Sequence, residues 1–235
     1  MKKNFIVKSD EHLIDIELLI KRIPKVPLDG IVHVGAHTAE EFGIFSTINS
    51  GKFLFIEANP SISDLLIKKF LNNSNIDIEN LAISNHTGII PFYIHQSRSG
   101  SIESSSILPM KDLQEIVTSM KISDVINVKT TTLNELLLNN IKYKNNKYEL
   151  LVIDIQGAEI LALEGASEVL HLFKAIIIEV NVIPMYDSGI TEGKIDEILS
   201  KFNFVKAFTV YHELYKDKDT FIAWGEALYV IKEDL

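Results

Sequence analysis

The 235-residue sequence contains no cysteine. That excludes disulfides, zinc–thiolate centres and thiol catalysis, and it fits a reducing compartment. No uninterrupted apolar stretch approaches the roughly 20 residues of a membrane span. The opening, MKKNFIVKSDEHL, meets Asp10 and Glu11 before any apolar run develops, so it lacks the pattern of a secretory signal. A cytoplasmic location is expected. Positive charge is also scarce, because 23 Lys and Arg against 32 Asp and Glu leave a formal charge of −9. Nucleic acid is not an expected partner, since binding it rests on Lys and Arg neutralising phosphates. A local basic pocket for a phosphorylated small molecule is compatible with this balance.

What is present is a strand-then-helix rhythm in a chain that is 46% apolar. Its length is that of one α/β domain, here residues 1–235, with a helical extension over 1–28. In that extension Leu13, Ile16, Ile20 and Ile23 have helical spacing. Residues 30–34 (GIVHV) read as a buried strand ending at Gly35. Thr38 followed by Glu41 is a capping-box pattern, predicting a helix to about Ser50. Phe53–Ile56 is a second buried strand, ended by Glu57. Asn59-Pro60-Ser61 then opens a helix with Ile62, Leu65, Leu66 and Phe70 on one face. Short strands follow near Glu79–Ile83 and Ile89–Ile94. Residues 96–108 are rich in serine and lack periodicity, and the stretch 96–126 is predicted to be a substrate loop or lid. Strand Asn127–Thr131 and a helix from Thr132 to about Ile141 come next.

The rhythm then returns. Leu150–Ile153 ends at Asp154 and leads into a helix near Ala158, and Ala175–Ile178 ends at Glu179. A helix is predicted over Thr191–Phe202, and strands at Val205–Tyr211 and Glu226–Lys232 read as an antiparallel hairpin that holds Trp224. Four apolar strands with intervening helices imply a parallel sheet covered on both faces. A terminal hairpin on such a sheet is a feature of class I methyltransferases that plain dinucleotide-binding folds lack.

Ligands of open α/β sheets bind at strand carboxyl ends. Gly35 allows close backbone approach there, and Glu57, 22 residues later, has the spacing of an acid that holds a ribose. NAD and S-adenosylmethionine both carry one. A pyrophosphate needs more glycines than Gly35-Ala36-His37-Thr38-Ala39-Glu40 offers, and Glu40 and Glu41 would repel it. This favours the methyl donor.

At the third strand end the chain reads D-I-Q-G-A-E-I-L-A-L-E-G-A over 154–166. Together with V-G-A-H (34–37), F-I-E-A-N-P (55–60), A-I-S-N (82–85), T-T-L (131–133) and I-I-E-V-N (177–181), it resembles the FkbM family of methyltransferases over residues 30–182. Departures are His33 and Leu133-Asn134, where the family often has Asp, and Gln156, where Glu is commoner. The resemblance implies a class I, Rossmann-like three-layer sandwich with a mostly parallel seven-stranded sheet and a C-terminal antiparallel hairpin. It also implies S-adenosylmethionine-dependent O-methylation, often of a sugar hydroxyl in a polysaccharide, glycolipid or natural product. Gly35, Ala36 and His37 would line the methionine moiety. Glu57 would hold the ribose with Ala58 and Asn59 beside it. Ala82, Ile83 and Ser84 would flank the adenine, and Asp154 would approach the methionine end or the acceptor.

A sugar hydroxyl is a poor nucleophile, so a base is expected. Asp154 and Glu179 are the candidates at the ligand edge, with Glu159, His95 and His212 more distant ones. Glu159 has the alternative role of complementing its helix dipole. Ser101, Ser104, Gln156, Glu159, Asn181 and Tyr186 are the candidates for meeting a small-molecule or glycan acceptor. No metal site is predicted: His33 and His37 lack a third ligand, and a divalent ion at Asp154 and Glu179 is kept as a secondary alternative. The competing readings are a nicotinamide-dependent oxidoreductase and a non-catalytic nucleoside-binding fold. The number of chains in the assembly is left open.

Overall fold

The computed structural model describes the chain except residues 1–4, 8–11, 98–99, 111–120, 184, 188–190, 217–218 and 235. Its strands are β1 (Phe5–Val7), β2 (Ile31–Val34), β3 (Phe53–Ile56), β4 (Ile76–Glu79), β5 (Ala82–Ile83), β6 (Gly88–Gln96), β7 (Lys121–Thr131), β8 (Leu150–Ile153), β9 (Ala175–Asn181), β10 (Phe204–Lys216) and β11 (Asp219–Ile231). Eight of them form one sheet in the order β1-β10-β11-β9-β8-β2-β3-β4. The central strands β2, β3, β8 and β9 are buried at every residue, as continuous apolar runs covered on both faces should be. Only β11 runs against its neighbours, β9 and β10. The expected seven-stranded, mostly parallel sheet with a terminal hairpin is therefore present, and β1 adds an eighth strand parallel to β10.

Alternation along the strands feeds two apolar layers. Val32, Val34, Ile153 and Ile178 join Leu163, Leu170, Ile195 and Leu199 on one side. Ile31, Phe55, Val152 and Ile177 join Ile16, Leu19, Phe45 and Leu66 on the other. Burying one such Leu or Ile side chain contributes about 1.5–3 kcal/mol.

The helices are α1 (His12–Ile20), α2 (Phe42–Phe45), α3 (Pro60–Phe70), α4 (Glu159–Glu164) and α5 (Glu192–Lys201). In α3, Asn59 accepts from the Ser61 N–H and Pro60 opens the first turn, as its sequence predicts. In α1, Ile16 and Ile20 are buried but Leu13 is 43% exposed. No helix among the described residues is long and apolar enough to cross a membrane.

Three of the expected elements take an altered form. The capping box at Thr38 does not form: His37 and Ala39 have φ of 43° and 49°, and the Thr38 hydroxyl bonds Glu40 instead. The Thr38 and Ala39 carbonyls accept from the Lys69 ammonium on α3, so this turn is held from outside and the helix shrinks to Phe42–Phe45. The helix expected from Thr132 to about Ile141 is present over residues 133–139, with the Thr132 hydroxyl accepting from the Glu135 N–H, but its Glu135–Asn139 part is π-helical. The terminal hairpin forms with a short link as expected, but its strands are longer than predicted, because β10 and β11 stay paired from Phe204–Ile231 out to Lys216–Asp219.

A second sheet, β5-β7-β6, was not foreseen. Ile94 through Ile90 and Phe92 on β6 alternate inward and meet Ala82, Val128 and Ala58. This sheet claims residues 121–126 of the expected lid as strand, while 111–120 of that lid lie outside the described residues.

Candidate functional site

Strand register builds the site. Val34, Ile56, Glu79, Ile153 and Ile178 are the last level partners of β2, β3, β4, β8 and β9. The next residue of each strand therefore falls on one row along the carboxyl edge: Asn80, Glu57, Gly35, Asp154 and Glu179. Glu226 on β11 stands opposite Glu179 and extends the row. Glu179 lies inside β9 rather than ending it, but one step past the part that pairs in parallel with β8.

At the first turn Gly35 has φ +80°, and a Cβ there would sit 1.8 Å from the Asp154 carbonyl oxygen. The Gly35 and Ala36 N–H groups donate to the Ile56 carbonyl at 2.9 and 3.1 Å. Glu57 then ties this turn to the next one: its carboxylate accepts from the His37 N–H at 2.9 Å and the Asn59 N–H at 2.7 Å. Burial raises its pKa, and those two N–H bonds work against the rise. Asn80 donates to the Glu57 carbonyl at 2.8 Å.

A cleft opens beside this turn. Gly35, Glu57, Ala58, Ala82 and Ile83 line it, as the sequence reading expects of a donor site. Phe92, Ser105, Ile107 and Ile155 line it too and were missed. The alternation of Ile90, Phe92 and Ile94 is the signal that could have found the first of them. Other expected donor residues point elsewhere. Ala36 is buried in an apolar layer, Ser84 is fully buried with its hydroxyl near Asn85 and His86, and the Asn59 side chain caps α3. His33 packs edge-on against Phe45 and Phe55 in the core.

Beyond Gly35 the row turns acidic. Gln156 donates through one nitrogen to Asp154 Oδ1 at 2.6 Å and Glu179 Oε2 at 2.7 Å. Its carbonyl oxygen accepts from the Tyr186 hydroxyl at 2.8 Å. Asn181 donates to Glu179 Oε1 at 3.4 Å. Glu159 accepts from the Ile155 and Gly157 N–H groups, both at 3.1 Å, and so closes the turn that presents Asp154 and Gln156. Burial, with the Asp154 charge added, pushes the Glu159 carboxyl up to about 7. Burial, then Asp154, Glu159 and Glu226 in that order, holds Glu179 well above the carboxylate range. Tyr186 is likewise raised, by burial first and the surrounding acids second.

The serine stretch is an ordered wall on this cleft. Ser97 and Ser101 bond each other's backbone, Ser105 Oγ donates to the Ile102 carbonyl, and Ser106 Oγ reaches the Ile155 carbonyl at 3.3 Å. Ser101 therefore serves the loop's own turn. Ser104 comes to the acidic group through its carbonyl, which accepts from His95 Nδ1–H at 2.8 Å and from the Tyr186 hydroxyl at 3.4 Å. Burial lowers the His95 pKa and keeps its ring neutral. His212 is remote from this group, paired with Asp15 of α1 and stacked on Trp224.

The cleft suits a nucleoside with a charged tail: an apolar slot at Ala82, Ile83 and Phe92, a buried carboxylate at Glu57, and a backbone wall without a side chain at Gly35. A pyrophosphate would meet acids instead.

Comparison with known proteins agrees. The FkbM methyltransferase domain matches residues 33–206. Among solved structures, FkbM methyltransferase from Methylobacillus flagellatus KT is 12% identical with a TM-score of 0.47, over 86% of this chain and 43% of that one. This chain thus spans less than half of that relative. TrmK of M. capricolum, solved with S-adenosyl-homocysteine, is 10% identical with a TM-score of 0.50, over 96% of this chain and 70% of that one. Precorrin-6y C5,15-methyltransferase from Geobacter metallireducens GS-15 is 11% identical with a TM-score of 0.50, over 96% and 94%. No curated protein matches the chain in sequence. With its family model covering most of the chain, residues 33–206, the chain belongs to the FkbM family of S-adenosylmethionine-dependent methyltransferases.

Proposed function

We propose that this chain methylates a hydroxyl of a sugar or similar polyol, in the assembly of a glycan or related natural product. The observation that carries this reading is the join between the two halves of the row. The cleft at Gly35 and Glu57 lies beside a cluster of hydrogen-bonding acids and amides that starts at the neighbouring strand end, Asp154. Such a lining repels phosphates and nucleic acids and suits a neutral acceptor rich in hydroxyls.

Bound S-adenosylmethionine supplies an already activated methyl group. Glu57 would hold its ribose, Ala82 and Ile83 its adenine, and the backbone from Gly35 to His37 its methionine end. The chain's remaining task is to fix the acceptor oxygen in line, exclude water and receive a proton. Asp154 is the better base of the two candidates, because it is half-buried while Glu179 is buried. Glu179, buried and held above the carboxylate range, serves to orient Gln156. Tyr186 locks the other end of that amide, and Phe92, Ser105 and Ile107 wall the cleft from solvent.

Thermal unfolding with S-adenosylmethionine, S-adenosylhomocysteine and NAD tests the donor. Stabilisation by the first two is expected, and stabilisation by NAD alone would overturn the reading. Methyl transfer to a panel of monosaccharides, nucleotide sugars and oligosaccharides tests the acceptor. Transfer should disappear in Asp154→Ala while the shift with S-adenosylhomocysteine persists.

A further inference from the structure

We infer that Asp154, Glu179 and Asn181, backed by Glu159, form a binding site for a hard divalent cation of the Mg2+ or Mn2+ kind. One carboxylate oxygen from each of Asp154, Glu159 and Glu179 lies within 4.8 Å of the others. Asn181 adds an independent sign. Its side chain is 5% exposed, its Oδ1 is buried without a hydrogen-bond partner, and its amide nitrogen sits 3.4 Å from Glu179 Oε1. An unpaired buried amide oxygen costs about 1–3 kcal/mol. Turning the amide over carries that oxygen to the Glu179 side, where a cation would satisfy both.

Charge balance points the same way. Among the described residues no Lys, Arg or His forms an ion pair with Asp154, Glu159 or Glu179. The Asp154 and Glu179 side chains lie within hydrogen-bond reach of each other, and the Gln156 amide nitrogen donates to both. Rotation of that amide exchanges its nitrogen for its oxygen, and the Tyr186 hydroxyl can accept as readily as it donates. The ligands on offer are then all oxygen, with neither thiolate nor imidazole. That donor set selects Mg2+, Mn2+ or Ca2+ over Zn2+ and Cu2+.

A cation held by three or four protein oxygens keeps coordination positions for two neighbouring hydroxyls of an acceptor. This role rests on the polyol reading above; the site itself does not.

Titration of the full chain with Mn2+, followed by electron paramagnetic resonance without donor or acceptor, tests the site. One Mn2+ per chain, displaced by Mg2+, is expected. Affinity should fall at least about tenfold in Asp154→Asn and in Glu179→Gln. It should stay unchanged in Glu103→Gln, which alters the separate His37, Glu40 and Glu103 group. No binding at millimolar Mn2+, or undiminished binding in both Asp154→Asn and Glu179→Gln, overturns the proposal. Thermal unfolding in chelator shows that the variants are folded, and S-adenosylhomocysteine binding reports on the donor reading separately from the cation.

Discussion

The Gly35 α-carbon faces the Asp154 carbonyl so closely that a methyl group on it would lie 1.8 Å from that oxygen. One turn thus packs its backbone directly on the next, and the donor cleft depends on the contact. With φ at +80° as well, Gly35→Ala is strained twice over. It should lose about 2–4 kcal/mol of stability in denaturant unfolding. S-adenosylhomocysteine should no longer raise its unfolding temperature.

Glu57 links the same turn to the start of α3 through two backbone N–H bonds. Glu57→Ala leaves both donors unpaired, at a cost of about 1–3 kcal/mol each. Glu57→Gln keeps one oxygen and should fold more stably than the alanine variant. Calorimetry should find S-adenosylhomocysteine binding at least about tenfold weaker in either. Wild-type affinity in Glu57→Ala would remove this residue from the donor site.

Tyr186 tests the amide lock. Tyr186→Phe keeps the ring that packs on Gly157 but frees the Gln156 oxygen. Donor affinity should hold while the methyl-transfer rate falls about tenfold, the effect of one lost positioning bond. Gly157→Ala is harsher, since its Cβ would meet the ring at 2.4 Å.

Glu159 gives the fold a pH dependence. Its carboxyl rises from an ordinary 4.5 to about 7 on folding, so its stabilising share is full below 4.5 and is lost as pH climbs through 7. Glu159→Gln, measured in chelator, should therefore gain stability over the wild type at pH 8, on the order of 2 kcal/mol, and gain little at pH 4. Equal differences at both pH values would contradict this environment for Glu159.

Glu149 behaves oppositely at the other end of β8. Burial opposes its charge, but Lys174 and Lys147 at 2.7 and 2.9 Å, with the Asp29 N–H, hold its carboxyl down to about 2. Its contribution is complete above 4.5 and disappears as pH falls through 2. Glu149→Gln should cost about 1–3 kcal/mol at neutral pH, with the gap to the wild type closing toward pH 2.

Local patterns reported the sheet well. The runs at Phe53–Ile56 and Leu150–Ile153 end where predicted, and the 22-residue step from Gly35 to Glu57 places both in one row. What failed depends on partners distant in sequence. Lys69 and Glu57 set the turn at His37–Ala39, overriding the Thr38 and Glu41 pattern. The β5-β7-β6 sheet needs Ala82 to meet Thr130, 48 residues further on, and no period within either strand announces that pairing. The Gln156 bridge was likewise illegible: a glutamine in a turn signals nothing until Glu179 and Tyr186 arrive from other elements.

The three-residue strand β1 has a consequence beyond the count of strands. It pairs with Val210–His212, on the flank of the long β10 that would otherwise offer a row of unsatisfied backbone groups to any passing chain. Residues 5–7 thus cover part of that flank against pairing with another chain. Removing them should leave the catalytic row untouched while making the molecule prone to stick to its own copies.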